Sequence, residues 1–469
     1  MRFFIILLIS VLHLQLHAQQ DHFKNRALIS DIYIVGNNTT KDFIILRELP
    51  FKENDVIDLD KVDNLLTQGK NNLINLSLFN FVYITYQLAD AKDGLGLPEI
   101  EIVIDLDERW YYWPRLDISF GDRNSSNWLK DPRWDTITYN VGFNIYNLFG
   151  YNQSLSVMYL FGYQKGFRID YNNITLGGKG EHFFNLSVSG LYMKMENVIS
   201  ENNEPFYLRS NNGYLTRRES YGITYTYRPK LRLFNIFSVE YENKRIDPEI
   251  LLRNPDYWGG GNLKREGLHL GYNFISDQRD NIQYPLNGYY INGGMRAYTD
   301  FNSLLIYGKI TGDIRYYNNF SGRWSYAARL TIGSSVKNED AYIFDKAIGY
   351  NNIGMRGYEY CVVDGQHYII LNPSLRYNII PQKIFNLNFM PLTKFRKAHF
   401  AMYGKIFFDT GYVSHNNPSP LNNLANKFLF SYGAGIDVVT YYDITLSFDY
   451  SFNQYFKNGF YISVKSPIL

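Results

Sequence analysis

The strongest constraint on this chain is an alternation that runs through its C-terminal three quarters. From Trp110 onward the helical period is absent, and apolar residues recur at every second position between Asn, Gly, Pro and Asp turns. Phe428, Phe430, Tyr432, Ala434, Ile436 and Val438 alternate with Leu429, Ser431, Gly433, Gly435 and Asp437. Tyr442, Ile444, Leu446, Phe448 and Tyr450 alternate with Asp443, Thr445, Ser447 and Asp449. Tyr139, Val141, Phe143 and Ile145 alternate with Thr138, Asn140, Gly142 and Asn144. A period of two sends successive side chains to opposite faces of a strand. A soluble sandwich would carry charge on its outer face. Here one face is heavily aromatic and the other mostly small and polar, which suits a barrel with a lipid-facing exterior and a polar lumen. About sixteen such runs can be placed, an even number as expected of a bacterial barrel. They start near Tyr111, Asp135, Tyr151, Phe167, Phe183, Tyr214, Leu233, Lys264, Gly288, Ser303, Gly322, Gln366, Ala398, Lys427, Tyr441 and Gly459. Residues 335–365 form an unusually long loop, and loops of that length in an ordered protein are usually functional.

Composition supports this reading. Of 469 residues, 42 are Tyr, 33 Phe and 6 Trp; strands and membrane interfaces both favour these residues. The mean hydropathy of −0.29 excludes a bundle of membrane helices, each of which needs about 20 mostly apolar residues. The net charge of +2 argues against a nucleic-acid partner. The single cysteine, Cys361, allows no intrachain disulfide and reads as a small buried hydrophobe. Residues 1–18 read as a secretory signal: Arg2 is the positive region, Phe3 to Leu16 the apolar stretch, and Ala18 precedes the cut.

Residues 29–109 have a different grain. Ile32 and Ile34 read as a strand leaving through Gly36-Asn37-Asn38. Thr39 or Thr40 can cap a short helix through Leu49, which Pro50 stops. A second helix starts near Asp58, with Val62, Leu65, Leu66, Leu73 and Leu76 on one stripe. Two strands follow, Phe81 to Leu88 and Ile100 to Leu106. The first should bury Val82, Ile84 and Tyr86, present Tyr83, Thr85 and Gln87, and leave one edge available. The expected architecture is one small α+β domain at 29–109 before a transmembrane antiparallel β-barrel of about sixteen strands at 110–469.

Several local patterns, in order, give this chain a family resemblance. Residues 29–109 look like one POTRA (polypeptide-transport-associated) domain. Asp277, Arg279, Asp280 and Asn281, followed by Pro285 and Gly288, are similar to a turn between eighth and ninth barrel strands. Met355-Arg356-Gly357-Tyr358 resembles an Arg-Gly-aromatic motif in a sixth extracellular loop, and Phe407-Phe408-Asp409-Thr410-Gly411 a Phe-Asp-x-Gly segment of the thirteenth strand. Lys457, Gly459, Ile462 and Val464 resemble a C-terminal barrel-recognition signal, although the same residues also suit a plain amphipathic last strand. The mature chain thus resembles the BamA/TamA superfamily of outer-membrane assembly and translocation barrels, with a surface-antigen-type barrel.

The resemblance implies that Arg356 folds inward and pairs with Asp409. Asp409 shares parity with Lys405 and opposes Met402, Ile406 and Phe408, so it faces the lumen if those three face lipid. An arginine in a partly desolvated lumen needs an anion. The alternative is an ordinary exposed loop arginine. Where the family often has a second acid, this chain has Ser374.

The chain shows no metal-binding His pair, nucleophile elbow or phosphate loop. No enzyme activity, metal or cofactor is expected. The resemblance implies unfolded outer-membrane or secreted clients, lipid and accessory periplasmic proteins as partners. It also implies a place in the outer membrane of a diderm bacterium, with the POTRA domain in the periplasm. Insertion and secretion stay open, and a passive channel is the alternative.

Overall fold

A computed structural model describes residues 25–89, 97–119, 134–177, 180–303, 305–350, 353–387, 390, 397–440 and 444–465. The apolar stretch read as a signal lies outside them. The chain divides after Trp110 into two compact units.

The first unit is a small α+β domain. Strands β1 (Arg26–Val35), β2 (Val56–Asp58), β3 (Phe79–Ala89) and β4 (Glu99–Glu108) form one sheet in the order β2-β1-β4-β3. β1 runs parallel to β4, and β3 antiparallel to it. Helix α1 spans Asp42–Leu46 and α2 spans Val62–Asn75. α2 turns Val62, Leu66, Gly69 and Leu73 inward, the spacing of one helical face. At Gly69 an added Cβ would already touch Ile84 of β3. Ile29, Ile100, Ile102 and Ile104 are fully buried.

Two boundaries differ from the sequence reading. α1 stops at Leu46, and neither threonine caps it; the N-cap is Lys41, without a side-chain bond. Thr40 instead donates its hydroxyl and backbone N–H to the Glu108 carboxylate at 2.6 and 2.7 Å, and Thr39 N–H joins them. A long-range buried acceptor has outcompeted the local cap. α2 starts four residues later than Asp58, after a single 3₁₀ turn.

The second unit is a 16-stranded antiparallel sheet. Its strands are β5 (Tyr112–Ser119), β6 (Thr138–Leu148), β7 (Gln153–Gly162), β8 (Lys165–Leu176), β9 (His182–Met193), β12 (Thr216–Lys230), β13 (Leu233–Ile246) and β14 (Lys264–Asp277). They continue as β15 (Gly288–Asp300), β16 (Ile306–Ser321), β17 (Trp324–Lys337), β20 (His367–Asn386), β21 (Lys397–Ser414), β22 (Phe428–Thr440), β23 (Ile444–Asn453) and β24 (Asn458–Lys465). Each begins within three residues of the start that the alternation predicts. No described helix is long and apolar enough to cross a membrane.

Antiparallel order puts the start of β5 and the end of β24 at one end, the terminal end. The long connections gather at the opposite, loop end. There the structure holds a hairpin that lies in the chain between two of the predicted strands: β10 (Met195–Glu201) with β11 (Glu204–Arg209). Val198 from it, Ile250 from helix α3 (Pro248–Arg253), and Tyr257 and Trp258 form a buried apolar cluster against Tyr342 and Ile343. Gly259, Gly260 and Gly261, all with positive φ, follow that buried tryptophan. A second small hairpin pairs β18 (Lys346–Ile348) with β19 (Val363–Asp364).

Candidate functional site

The loop between β17 and β20 folds into the barrel. Its tip is the segment Met355–Tyr358, closed by the Tyr358 N–H donating to Met355 O at 3.1 Å. Gly357 sits at φ +84°, and a Cβ there would meet Ser431 Cβ at 2.9 Å. Both the backbone conformation and the close approach therefore demand glycine.

This turn aims Arg356 at Asp409 on β21. Nη2 lies 2.5 Å from Oδ1, Nε 2.9 Å from Oδ2, and the Arg356 backbone N–H donates to Oδ2 at 3.0 Å. Asp409 is 0% exposed and the Arg356 side chain 21%. The guanidinium stacks 3.9 Å above the Phe407 ring, and its Nη2 also donates to Pro373 O at 3.1 Å. Planar bidentate pairing with stacking is a role that arginine fills and lysine does not. The outward neighbours Ile406 and Phe408 are exposed, so the parity of β21 puts Asp409 in the lumen.

The rest of the tip is tied to two more strands, β22 and β23. The Arg356 carbonyl accepts from Ser431 Oγ, and the Gly357 carbonyl from Asn453 Nδ2 at 3.0 Å. Tyr358 donates its hydroxyl to Phe430 O at 3.3 Å. Met355 and Tyr358 are buried in one cluster with Ile370, Val413 and Leu429; Cys361 packs half-buried at its margin.

Ser374 takes no part in this clamp; its hydroxyl lies 3.5 Å from Ala327 O. The second ligand of Asp409 is Asn372, whose Nδ2 donates to Oδ2 at 2.8 Å. Sequence reading missed it. The signal is in the ladder: Leu371 faces Thr410 and Ser374 faces Phe407, which brackets Asn372 opposite Asp409.

The turn between β14 and β15 closes from the terminal end. Asp277 grips Arg279 bidentately, at 2.8 and 2.6 Å. The Asp280 carboxylate accepts the backbone N–H groups of Asn281, Leu286 and Asn287, and Asn281 Oδ1 accepts those of Gln283 and Tyr284. Gly288 has φ +100°, and a Cβ there would meet Gln278 O at 2.1 Å. Pro285 exposes its carbonyl to Arg376 Nη1 at 3.3 Å. This bracing pushes Tyr284 across the lumen. Its ring lies 4.6 Å from that of Tyr403, and its hydroxyl donates to Asp437 on β22 at 2.9 Å.

Between this turn and the loop tip lies a cavity of about 720 Å³. One wall carries Arg315 and Arg329, which share Asp313, and Arg376. The strands that continue the wall beyond β20 carry Lys405, the ladder neighbour of Arg376, held between Asp437 and Asp449 at 2.7 and 2.8 Å. Two charged triads, one with two arginines to one acid and one with a lysine between two acids, thus line this cavity side by side with Arg376 between them.

Among the described residues, the seam between β5 and β24 is the least joined part of the sheet. Among the described residues no ladder connects β5 to β24, although each has its full pairing on the other side. The loop reaches β24 through Tyr360, whose ring lies 5.3 Å from that of Tyr461. Of the C-terminal residues, Ile462 and Val464 face outward, Gly459 leaves room for the Tyr461 ring, and Lys457 lies in the preceding turn. In the first unit, β3 is an edge strand. Tyr83, Thr85 and Gln87 are exposed there, while Val82 is buried and Ile84 and Tyr86 are half-buried.

Comparison with known proteins agrees with this geometry. Residues 27–109 match the surface antigen variable number repeat, a POTRA family. Residues 147–464, more than half of the chain, match the Omp85 superfamily domain. The chain belongs to the Omp85 superfamily. Among solved structures it is similar to BamA from Haemophilus ducreyi lacking POTRA domains 1–3, at 13% identity and a TM-score of 0.49, covering 93% of this chain and 83% of that one. It is also similar to CdiB from Escherichia coli, at 11% identity and a TM-score of 0.50, covering 93% and 75%. A comparison with curated proteins returns no match. Omp85 barrels sit in the Gram-negative outer membrane, and the superfamily's members act in insertion or translocation.

Proposed function

We propose that this Omp85 protein handles unfolded protein clients at the outer membrane, with its POTRA domain in the periplasm and its loop end outward. Clients add to the edge strand β3, where backbone hydrogen bonds give affinity without a fixed sequence. The barrel then acts at the seam between β5 and β24. The observation that carries this reading is a contrast within the sheet: a loop tip bound to four adjacent strands, next to a seam that lacks a ladder among the described residues. The clamp fixes β20 to β23 as a rigid wall and leaves the strain of opening to the seam. No group of this chain is assigned an enzymatic role.

A disulfide across the seam tests it. Cys361 is replaced by Ser, and cysteine pairs are introduced on β5 and β24. Oxidation is expected to stop accumulation of client proteins in the outer membrane, and reduction to restore it. If the crosslinked barrel supports a normal outer-membrane proteome, the seam is not the working part. A crosslinked barrel that still conducts ions while clients accumulate normally favours the passive channel.

A further inference from the structure

The outer wall of the barrel ends in cations at the loop end. Lys165 opens β8, Arg217 is the second residue of β12, Arg245 the last but one of β13, and Lys264 opens β14. All four are exposed. The register lines them up: Lys165 faces Tyr192, Tyr192 faces Arg217, Arg217 faces Arg245, and Arg245 faces Lys264. They belong to the lipid-facing set, because Ile169, Ile223, Val239 and Leu270 share their parity and are exposed. Paired Cα atoms on antiparallel strands are about 4.5–5.5 Å apart, so three of these cations span only about 10 Å.

Like charges directly opposite on a ladder destabilise it. Carboxylates within the wall relieve only part of this. Glu266 pairs with Lys264 at 2.5 Å and also accepts the Tyr241 hydroxyl at 2.6 Å. The adjacent Arg218 turns to the lumen and pairs there with Glu240 and Glu242. Glu219 lies on the outer face one step below, yet Arg217 and Arg245 have no ion pair among the described residues. Glu266 reaches Arg245 only through its longer-range field while its short contact goes to Lys264, and two facing guanidinium forks without a bonded carboxylate match the geometry of a phosphate. Below them Tyr221 and Tyr241 lie with ring centroids 6.1 Å apart, followed by Ile223, Val239 and Leu270. A cationic rim above aromatic and then aliphatic residues follows the profile of a lipid: phosphate, interface, acyl chain.

We propose that Arg217 and Arg245, flanked by Lys165 and Lys264, form a binding site for the phosphate-bearing headgroup of a membrane lipid. The acyl chains of that lipid lie along Tyr221, Ile223, Val239 and Leu270. Only the choice of leaflet rests on the orientation proposed above, which makes it the outer one.

The full chain is reconstituted in phosphatidylcholine nanodiscs carrying a minor fraction of lipid A. It is then re-extracted in neutral detergent, and retained lipid A is counted by mass spectrometry. Each cation near a membrane surface is worth a factor of about five in binding, so Arg217→Gln/Arg245→Gln should retain about ten-fold less or lower. Lys383→Gln, exposed near the terminal end of β20, should retain as much as wild type. Equal retention by the double variant and wild type overturns the site, as does complete displacement of lipid A by millimolar inorganic phosphate. Lys165→Gln/Lys264→Gln supplies a second, independent variant if the first does not fold. Because a nanodisc presents lipid A on both leaflets, this result stands apart from orientation, which protease accessibility in intact cells decides separately.

Discussion

The POTRA domain and the barrel use the same strand period with opposite meaning. In β4, Ile100, Ile102 and Ile104 point into a dry core and are 0% exposed, while Asp105 points to water. In β22, Ile436 points to the outer wall and is 43% exposed, while Asp437 is buried. The POTRA core is stabilised by apolar area removed from water, at roughly 25 cal/mol per Å². The barrel interior is stabilised by ion pairs and hydrogen bonds whose members each lose water and must each find a partner. A gap in the first costs one side chain's packing. A gap in the second leaves a charge behind.

The largest effect should therefore come from splitting the Arg356–Asp409 pair. Removing one member of a fully buried pair costs on the order of 3–5 kcal/mol, and less where water reaches. Arg356→Ala should leave a carboxylate that is 0% exposed with Asn372 as its remaining side-chain donor. Arg356→Ala, Asp409→Ala and the double variant are compared by the temperature at which the folded barrel unfolds in detergent. The double variant should lose clearly less than the sum of the two. Simple additivity would show that the two residues do not interact. Arg356→Lys should rescue only in part, because it cannot make the bidentate contact or the stack on Phe407.

The next test sets one isoleucine against another. Ile102→Ala should destabilise the POTRA domain by about 2–5 kcal/mol, the usual cost of emptying an aliphatic core position. Ile436→Ala, on the outer wall, should change barrel stability by less than about 1 kcal/mol, because lipid fills the space. Heat resistance of the barrel and protease resistance of the POTRA domain are read on the same two variants. A large loss in Ile436→Ala would place that face against protein instead of lipid.

A smaller effect on stability, with a larger one on function, is expected at the β3 edge. Thr85→Pro removes one backbone donor from an exposed edge position. The POTRA domain should stay folded, and crosslinking of unfolded clients to β3 should fall more than barrel abundance does. Unchanged crosslinking with a folded domain would move the client site elsewhere.

What could be read from the sequence follows the range of each interaction. The sixteen strands were legible because each carries its own alternation. The pairing of Arg356 with Asp409 was legible because the family resemblance implied both partners, and the parity of the strand agreed by turning Asp409 to the lumen. Asn372 was not, since its position depends on the register of β20 against β21. Tyr284 reaching Asp437 depends on a contact 153 residues apart. The β10–β11 hairpin is only seven and six residues long, so its alternation is too brief to stand out from a loop. Thr40 read as a cap because nothing local reveals that Glu108, 68 residues on, would accept its hydroxyl.

The smallest effect sits outside the membrane-spanning strands, in the β18–β19 hairpin. Burial pushes the Asp364 carboxyl up to about 6, although it accepts the Tyr350 hydroxyl at 3.1 Å and lies opposite Lys346. A raised acid holds its proton more tightly folded than unfolded. Its contribution is present below about pH 4, the value of a free aspartate, and is lost as pH rises through about 6. The hairpin should accordingly be better protected at pH 4.5 than at pH 7, and limited proteolysis between residues 342 and 364 should run a few-fold faster at pH 7. Asp364→Asn mimics the protonated form, so its cleavage rate should be nearly flat over that range and slower than wild type at pH 7. Faster cleavage of Asp364→Asn at pH 7 would mean that attraction to Lys346 outweighs the cost of burying the charge. The loop cap would then follow the rule of the lumen, where a charge is kept by its partner, and the boundary between the barrel's two kinds of interior would move outward.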